Sequence, residues 1–503
     1  MVYIPFKNTI LSSLLKNRYI KIENFKDRPL EVQNKVFKNL IKMGEYTVFG
    51  ADHKFSTITD VKKFQELIPI RKYEEFLEYI NKARKGHKDI LWPGHVKWFA
   101  KSSGTTDNKS KYIPITNESL KKCHYKAGKD MLSLYSINFP ETNLYNGKGL
   151  MLGGSQIQNK NHGYFEGDLS AILISNFPFW VHMHRVPDLQ TALMSEWEKK
   201  VNIICSQAIN ENITNITGVP SWTQVVLKKV LEITKSSSLL EVWPNLELYM
   251  HGGVHFSPYV EQFYKMIPSN DMNYVEGYNA SEGFFGIQDT KYSKDLLLML
   301  DYGIFYEFIL LKDYKDGIRE TVLLSEVIIG EVYVMIISTN AGLWRYVIGD
   351  TIRFTSLNPF RIRVVGRTKN YINAFGEELM VENVERALYL SCQKYHCSVQ
   401  NFIVAPKFIG EGRGVHQWIV EFQDIPNDLN IFSEYLDQKI RELNSDYDAK
   451  RTDNFILDRL QIFPAKKNVF YKWLKINNRL GGQYKVPRLD NDGITFNEIK
   501  SLM

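Results

Sequence analysis

Residues 101–112 read Lys-Ser-Ser-Gly-Thr-Thr-Asp-Asn-Lys-Ser-Lys-Tyr, a stretch that concentrates hydroxyls, one glycine and cations. That is the chemistry of a triphosphate cradle. The flanking segments, Val96-Lys-Trp-Phe-Ala100 and Tyr112-Ile-Pro-Ile115, are alternating or β-branched, so the spacing predicts strand–loop–strand rather than the strand–loop–helix of a Walker loop. Only Gly104 is present, and backbone amides alone cannot form the phosphate nest. Ser102, Ser103, Thr105 and Thr106 would donate from their hydroxyls, with Lys109 or Lys111 as the point charge on the outer phosphates. On loop composition alone, a solvated Ser/Thr turn accounts for the segment better.

Three later clusters carry complementary chemistry. Glu276-Gly-Tyr-Asn-Ala-Ser-Glu-Gly283 places an aromatic, a hydroxyl and a carboxylate close together. An adenine can stack on Tyr278, Ser281 can reach an α-phosphate, and Glu282 can hold Mg²⁺, a hard cation that prefers carboxylate oxygen. Leu343-Trp-Arg-Tyr-Val-Ile-Gly-Asp350 reads as a β run ending at a glycine and an acid, where Asp350 can accept both hydroxyls of a ribose. Val364-Val-Gly-Arg-Thr-Lys-Asn-Tyr-Ile-Asn-Ala-Phe-Gly-Glu-Glu-Leu379 puts Arg367 at an inferred domain junction, with Glu377 and Glu378 opening the next helix. Each cluster also has a structural reading: a core tyrosine, a strand-end turn, a helix cap. His251 and His255 are four apart, but Gly252-Gly253 between them argues against a helix presenting both to zinc. Gly410-Glu-Gly-Arg-Gly414 lies between two short strands, where a hairpin turn suffices.

The elements that must position these residues follow from periodicity. Tyr73, Phe76, Leu77, Ile80 and Ala83 recur at helical spacing before the Ser/Thr loop, and a second helix is expected from about Glu118 through Leu134. Val322 to Thr339 reads as a hairpin turning at Ile329-Gly330-Glu331. After Gly366 the order is strand, helix (381–390), strands (402–405 and 417–423), helix (431–444) and strand (459–463), which suits a small α+β domain on a hinge. The expected fold is therefore α/β, mixed with α+β: a large N-terminal domain (1–366) of β-sheets flanked by helices, and a small mobile domain (367–503). At 503 residues with 44% apolar content, the chain can bury a large core. A formal charge of +7 spread over dispersed lysines suits solvated helix ends better than nucleic acid. Cys123, Cys205, Cys392 and Cys397 form no CxxC pair and read as reduced, buried thiols. With no leader-like N-terminus and no apolar run of membrane-spanning length, a cytoplasmic protein is expected.

In this order, the four clusters resemble the Ser/Thr/Gly, Tyr-x-x-Ser/Thr-Glu, Gly-Asp and Gly-Arg…Gly-Glu motifs of the adenylate-forming enzyme superfamily. More closely, the chain is similar to the auxin-responsive Gretchen Hagen family of acyl acid amido synthetases. The resemblance rests on Ser102-Ser-Gly-Thr-Thr106 with Lys111, Trp243-Pro-Asn245, His251-Gly-Gly253, Pro258-Tyr259, Tyr278-Asn-Ala-Ser-Glu282 and Gly482-Gln-Tyr-Lys-Val-Pro-Arg488, and it covers essentially the whole chain.

The resemblance implies ATP and Mg²⁺ as cofactors and a carboxylic acid and an amine, such as an amino acid, as small-molecule partners. A monomer that engages neither nucleic acid nor membrane is expected. It implies ATP or AMP contacts from Ser102, Ser103, Gly104, Thr105, Thr106, Gly253, Tyr278, Asn279, Ala280, Ser281, Asp350 and Arg367. Lys111, Ser281, Glu282 and Lys485 are the implied catalytic residues, with Glu282 on the metal and His251 and Gly252 beside the acyl group. Plant members carry a Ser-x-Asp-x-Asp-Lys segment where this chain has Asn373-Ala-Phe-Gly-Glu-Glu378. The lysine of that segment is absent, leaving Lys369 or Lys485 to supply a C-domain cation. Two alternatives share the motifs: a ligase that hands the acyl group to coenzyme A, and a noncatalytic nucleotide-binding protein on the same scaffold.

Overall fold

The computed structural model describes residues 18–503 apart from 103–110, 160, 162, 254–255, 257–258, 369–370, 373, 376, 378, 411–412, 452–456 and 481–484. The chain forms two compact units, Met1–Val254 with Ile267–Val364, and His255–Met266 with Val365–Met503. The split at 366/367 expected from sequence puts 255–266 in the larger domain, whereas the structure packs this segment with the C-terminal residues. Gln262 donates to the Val399 carbonyl at 3.0 Å, and the Lys265 ammonium lies 2.7 Å from Asp424.

The larger unit is organised by two sheets. β1 (Trp98–Ser102) and β2 (Lys111–Ile115) are antiparallel, with Ser102 opposite Lys111. The two expected strands are therefore present, with 103–110 between them outside the described residues, and helix follows only after β2, from Asn117. β3 (Lys148–Met151), β4 (Gln156–Asn159) and β5 (Tyr164–Gly167) come next, with β5 running parallel to β1 in a four-stranded sheet ordered β2-β1-β5-β4. β6 (Arg185–Val186), β7 (Ile213–Gly218), β8 (Leu248–Gly252) and β9 (Asn273–Ala280) join β3 in a parallel array ordered β6-β3-β7-β8-β9. From β9 onward the large sheet continues through antiparallel pairs: β10 (Gly283–Ile287), β11 (Leu296–Leu298), β12 (Ile304–Leu310), β13 (Val332–Thr339), β14 (Tyr346–Leu357) and β15 (Phe360–Arg367). The parallel strands are joined by helices, as they must be, including α1 (Trp197–Ala208) and α2 (Pro220–Thr234).

β12 and β13 are buried on both faces, which explains their near-continuous runs of apolar residues. The one acid in β12, Glu307, is tolerated because Arg345 forks onto both of its oxygens at 2.9 and 3.0 Å. The hairpin expected over 322–339 does not form. Val322 makes only an isolated bridge to Phe308, and Leu323 to Glu326 closes a turn instead. Leu324 and Val327 are buried one by one from that turn, which imitates a strand's composition without its ladder. The helix expected from Glu118 is present but interrupted by a π-helical turn over Leu120–His124 before α-helix resumes at Tyr125.

In the second unit a helix (Val381–Tyr395), strands Ser398–Gly410 and Arg413–Asp424, a helix (Leu429–Leu443) and a strand (Gln461–Pro464) follow in the order expected from sequence. The two long strands pair antiparallel, so Gly410–Gly414 is a hairpin connection with 411 and 412 outside the described residues. Glu377 does not open the helix, which starts at Val381. It is fully buried, accepting from the Phe375 amide at 2.7 Å and meeting His416 Nε2 at 2.7 Å; Glu378 is outside the described residues. All four cysteines are buried free thiols. No helix among the described residues is long and apolar enough to cross a membrane.

Candidate active site

The larger unit brings the 276–283 and 343–350 clusters together near the carboxyl end of β9, and open α/β sheets bind ligands at such strand ends. β9 and β10 form a two-residue hairpin, Ala280 facing Gly283, so Ser281 and Glu282 are the turn itself. Both are buried. Ser281 Oγ has no hydrogen-bond partner among the described residues, and Glu282 Oε1 accepts from Tyr346 Oη at 3.2 Å.

Asp350 is not at a strand end, as the Gly-Asp pattern suggested. It lies inside β14, at a bulge where the register jumps from Val334–Thr351 to Ile336–Val347. Gly349 there takes φ +90°, a left-handed conformation that glycine adopts without strain, and the bulge re-aims the side chain that follows. Tyr278 Oη donates to Asp350 Oδ2 at 2.7 Å. The Tyr278 hydroxyl thus orients the carboxylate, while its ring lies 5.0 Å from Phe285.

These contacts link the hairpin to β14 at two points. Tyr278 and Glu282 are four apart on one hairpin, Tyr346 and Asp350 four apart on β14, and each hairpin residue bonds its β14 counterpart. Lys111 joins them with its ammonium 5.5 Å from the Tyr73 ring centroid and 6.0 Å from that of Tyr346, both within cation–π range. Tyr73 Oη accepts from the Tyr112 amide at 2.7 Å, and Arg71 is pinned to the start of β14 by backbone bonds to Arg345 and Val347. Sequence reasoning missed Tyr73 and Tyr346. Tyr346 stood inside the Trp-Arg-Tyr-x-x-Gly-Asp cluster, but nothing local marked its hydroxyl as the partner of Glu282. No group of three or more His, Cys, Asp or Glu side chains suited to a metal occurs among the described residues. The carboxylates that the site offers among the described residues, Glu282 and Asp350, are too few to form a metal cage by themselves.

At the end of β8, Gly252 is required by close approach, since an added Cβ would meet the Gly277 carbonyl at 2.3 Å and Asn279 Oδ1 at 3.1 Å. Gly253 takes φ +80°. His251 is buried, and burial holds its imidazole neutral with a pKa pushed down to about 3. Ser102 ends β1 opposite Lys111, while Ser103, Gly104, Thr105, Thr106 and Lys109 lie outside the described residues. Ala280 closes β9 ahead of the turn.

Arg367 and Lys485 belong to the second unit. Arg367 ends β15, and Lys369 is outside the described residues. Lys485 is exposed, three residues before a segment in which Arg488 donates to Tyr259 Oη at 3.0 Å and Leu489 bridges to Val404. Of the aromatics that could line an apolar pocket, Trp92 is core, its ring 6.1 Å from that of Trp344, whereas Phe179 and Trp180 are exposed.

Family models cover most of the chain in the expected order. The GH3 family N-terminal domain matches residues 18–272, the central domain 297–367 and the C-terminal domain 382–494. The chain belongs to the GH3 family. It is accordingly a ligase of the adenylate-forming superfamily, as the motifs implied. Among curated relatives, Arabidopsis thaliana indole-3-acetic acid-amido synthetase GH3.4 is 22% identical over 93% of this chain and 90% of its own length. Jasmonoyl-L-amino acid synthetase JAR4 of Nicotiana attenuata is 23% identical over 64% and 66%. Among solved structures, the GH3.15 acyl acid amido synthetase superposes with a TM-score of 0.79 at 15% identity, covering 97% of this chain and 96% of that one. A 2-hydroxyisobutyryl-CoA ligase in the postadenylation state superposes with a TM-score of 0.58 at 10% identity, over 93% and 90%. The shared fold extends to a thioester-forming enzyme, so fold alone does not choose the acceptor.

Proposed function

We propose that this GH3 protein adenylates a carboxylic acid with ATP and passes the acyl group to the amine of an amino acid. In the first step a carboxylate oxygen attacks the α-phosphorus and the bond to the β-phosphate bridging oxygen breaks, expelling pyrophosphate. In the second the amine nitrogen attacks the acyl carbonyl, the bond to AMP breaks and the nitrogen loses a proton to give the amide. The curated relatives, named for amido synthesis from indole-3-acetic acid or jasmonate, support the amine as acceptor.

The observation that carries this reading is the linked set Lys111, Tyr346, Glu282, Tyr278 and Asp350. Two buried carboxylates are each oriented by one tyrosine hydroxyl, with an ammonium over the ring that joins them. Asp350, fixed by Tyr278, accepts from the ribose hydroxyls. Ser281 offers its hydroxyl, unpartnered among the described residues, to the α-phosphate, and Lys111 neutralises charge developing there, so the site works by positioning and electrostatics without a covalent nucleophile. Ser102, Ser103, Gly104, Thr105 and Thr106 contact the phosphates, while Gly253, Asn279 and Ala280 frame the adenylate. Mg²⁺ supplies charge neutralisation at the phosphates, and Glu282 is the residue that holds it. Arg367 contacts the ribose or phosphate, and Lys485 supplies a cation for adenylation. All these roles come from one chain, so a monomer suffices, and the cytoplasm supplies the ATP.

Acid-dependent exchange of labelled pyrophosphate into ATP tests the first step. Exchange that requires an added carboxylic acid is expected; its absence across a broad acid panel would favour a noncatalytic nucleotide-binding protein.

A further inference from the structure

The strands that carry Ser102 and Lys111 are held from behind. Successive residues of β2 point to opposite faces, so Lys111 and Tyr112 leave it on opposite sides. The register sorts their neighbours. Ser102 lies opposite Lys111, whereas Lys101 lies opposite Tyr112, and Phe99 lies opposite both Pro114 on β2 and Glu166 on β5. One face of the small sheet therefore presents Ser102 and Lys111, and the other presents Tyr112, Phe99, Tyr164 and Glu166. The Phe99 and Tyr164 rings meet on that second face, 5.2 Å apart.

Arg84 covers the second face. It ends the helix Leu77–Arg84, whose Ile80 and Ala83 are buried in the same core as Phe99 and Ile113, so its backbone is fixed. Its guanidinium carbon stands 3.9 Å from the Tyr112 ring centroid and 5.3 Å from that of Tyr164, both within cation–π range. Its Nη2 donates to Glu166 Oε2 at 2.8 Å, and with side-chain exposures of 24% and 16% the pair is less screened than a surface one. A planar guanidinium can stack on a ring and meet a carboxylate at once, which an ammonium cannot. Tyr112 is thus held twice, by Arg84 at its ring and by Tyr73 Oη at its amide. Any tilt of β2 that released Tyr112 would displace Lys111, the residue before it.

We infer that Arg84 is a positioning residue for ATP, acting through Tyr112 to fix the strand edge from which Ser102 and Lys111 meet the phosphates. This rests on the adenylation reading, which puts Ser102 and Lys111 on the phosphates. Arg84 packs on the opposite face of the sheet and touches no substrate itself. Its effect is selective for that reason. Adenine and ribose are engaged from Tyr278 and Asp350 on the large sheet, so loss of Arg84 weakens ATP and spares adenosine. An arginine that merely supported the fold would weaken both alike.

The test measures dissociation constants for ATP with Mg²⁺ and for adenosine by calorimetry, and acid-dependent pyrophosphate exchange in parallel. The proteins are the unmodified chain, Arg84→Met, Arg84→Lys, Tyr112→Leu and the double variant Arg84→Met/Tyr112→Leu. Arg84→Met should weaken ATP by about tenfold, the scale of one stacked cation plus one partly screened ion pair, and leave adenosine within about twofold. Arg84→Lys keeps the charge beside Glu166 and gives up the planar stack, so it should show the same selective loss at about threefold; it decides the matter if Arg84→Met does not fold. Because Arg84 acts through Tyr112, the double variant should lose no more than about tenfold, whereas independent losses would multiply. Unaltered ATP binding in the arginine variants, equal loss of ATP and adenosine, or losses that multiply in the double variant would each overturn the inference. The two readings fail separately. A selective ATP loss in a protein without exchange would sink adenylation alone, exchange with unaltered ATP binding in the arginine variants would sink the positioning role alone, and an unmodified protein that binds no ATP would sink both.

Discussion

Lowering the pH from 7 to 5 should destabilise the larger unit through His124 and His251. Both are buried, and burial pushes their pKa values down to about 4 and about 3 from an ordinary 6.5. His124 sits in the π-helical turn with its Nε2 unpartnered among the described residues. A histidine depressed in this way contributes stability that is fully present above the unfolded value of 6.5. That contribution is lost as the pH falls through the folded value, because only the unfolded chain takes up the proton in between. At pH 5 the gap is about 1.5 units for each residue, and at 1.36 kcal/mol per unit each costs about 2 kcal/mol, so the pair costs about 4 kcal/mol. Urea denaturation at both pH values, for the unmodified protein, His124→Gln and His251→Gln, isolates the effect, since every other titrating group is common to all three. Each variant should lose about 2 kcal/mol less between pH 7 and pH 5 than the unmodified protein does. A variant with an undiminished pH dependence would show that its histidine titrates normally in the fold and would refute the burial argument.

Three further outcomes follow from the site. Glu282→Gln should leave the fold intact and slow pyrophosphate exchange by about a hundredfold or more, most severely at limiting Mg²⁺; unchanged exchange would remove Glu282 from the metal role. Asp350→Ala should raise the apparent KM for ATP by about ten- to a hundredfold with a smaller effect on kcat, and Tyr278→Phe should do the same more weakly because it removes only the orienting hydroxyl. An unaltered ATP affinity in Asp350→Ala would place the ribose elsewhere. Lys485→Ala should slow adenylate formation while sparing amide formation from a supplied acyl-adenylate, and a normal first step would transfer the role to Lys369.

Much of this organisation was legible before the structure. The loop between Ser102 and Lys111 read as strand–loop–strand because alternating and β-branched residues flank it, and the pairing of β1 with β2 has that form. The order of helices and strands after Gly366 was equally readable, since each is long and strongly periodic. Readings failed where local composition was overruled by distant partners. Val322 to Val327 has a strand's residues but pairs at a single bridge, its apolar side chains buried from a turn. Glu377 looked like a helix opener and is instead fixed by His416, thirty-nine positions away. Asp350 read as a strand end because a glycine precedes it, yet the glycine makes a bulge within β14, which depends on the register against β13. The hydroxyl bonds by which Tyr278 and Tyr346 orient the two carboxylates were invisible for the same reason: each joins residues more than sixty positions apart.

The account stands most directly on the identity of the final product. Incubation with ATP, Mg²⁺ and an acid that supports exchange, supplied in parallel with a mixture of amino acids or with coenzyme A, followed by mass analysis, reads both steps at once. The prediction is AMP release that rises with the amino acids, and a product with the combined mass of acid and amino acid less one water. AMP release coupled to a coenzyme A thioester, with no amide formed, would contradict it.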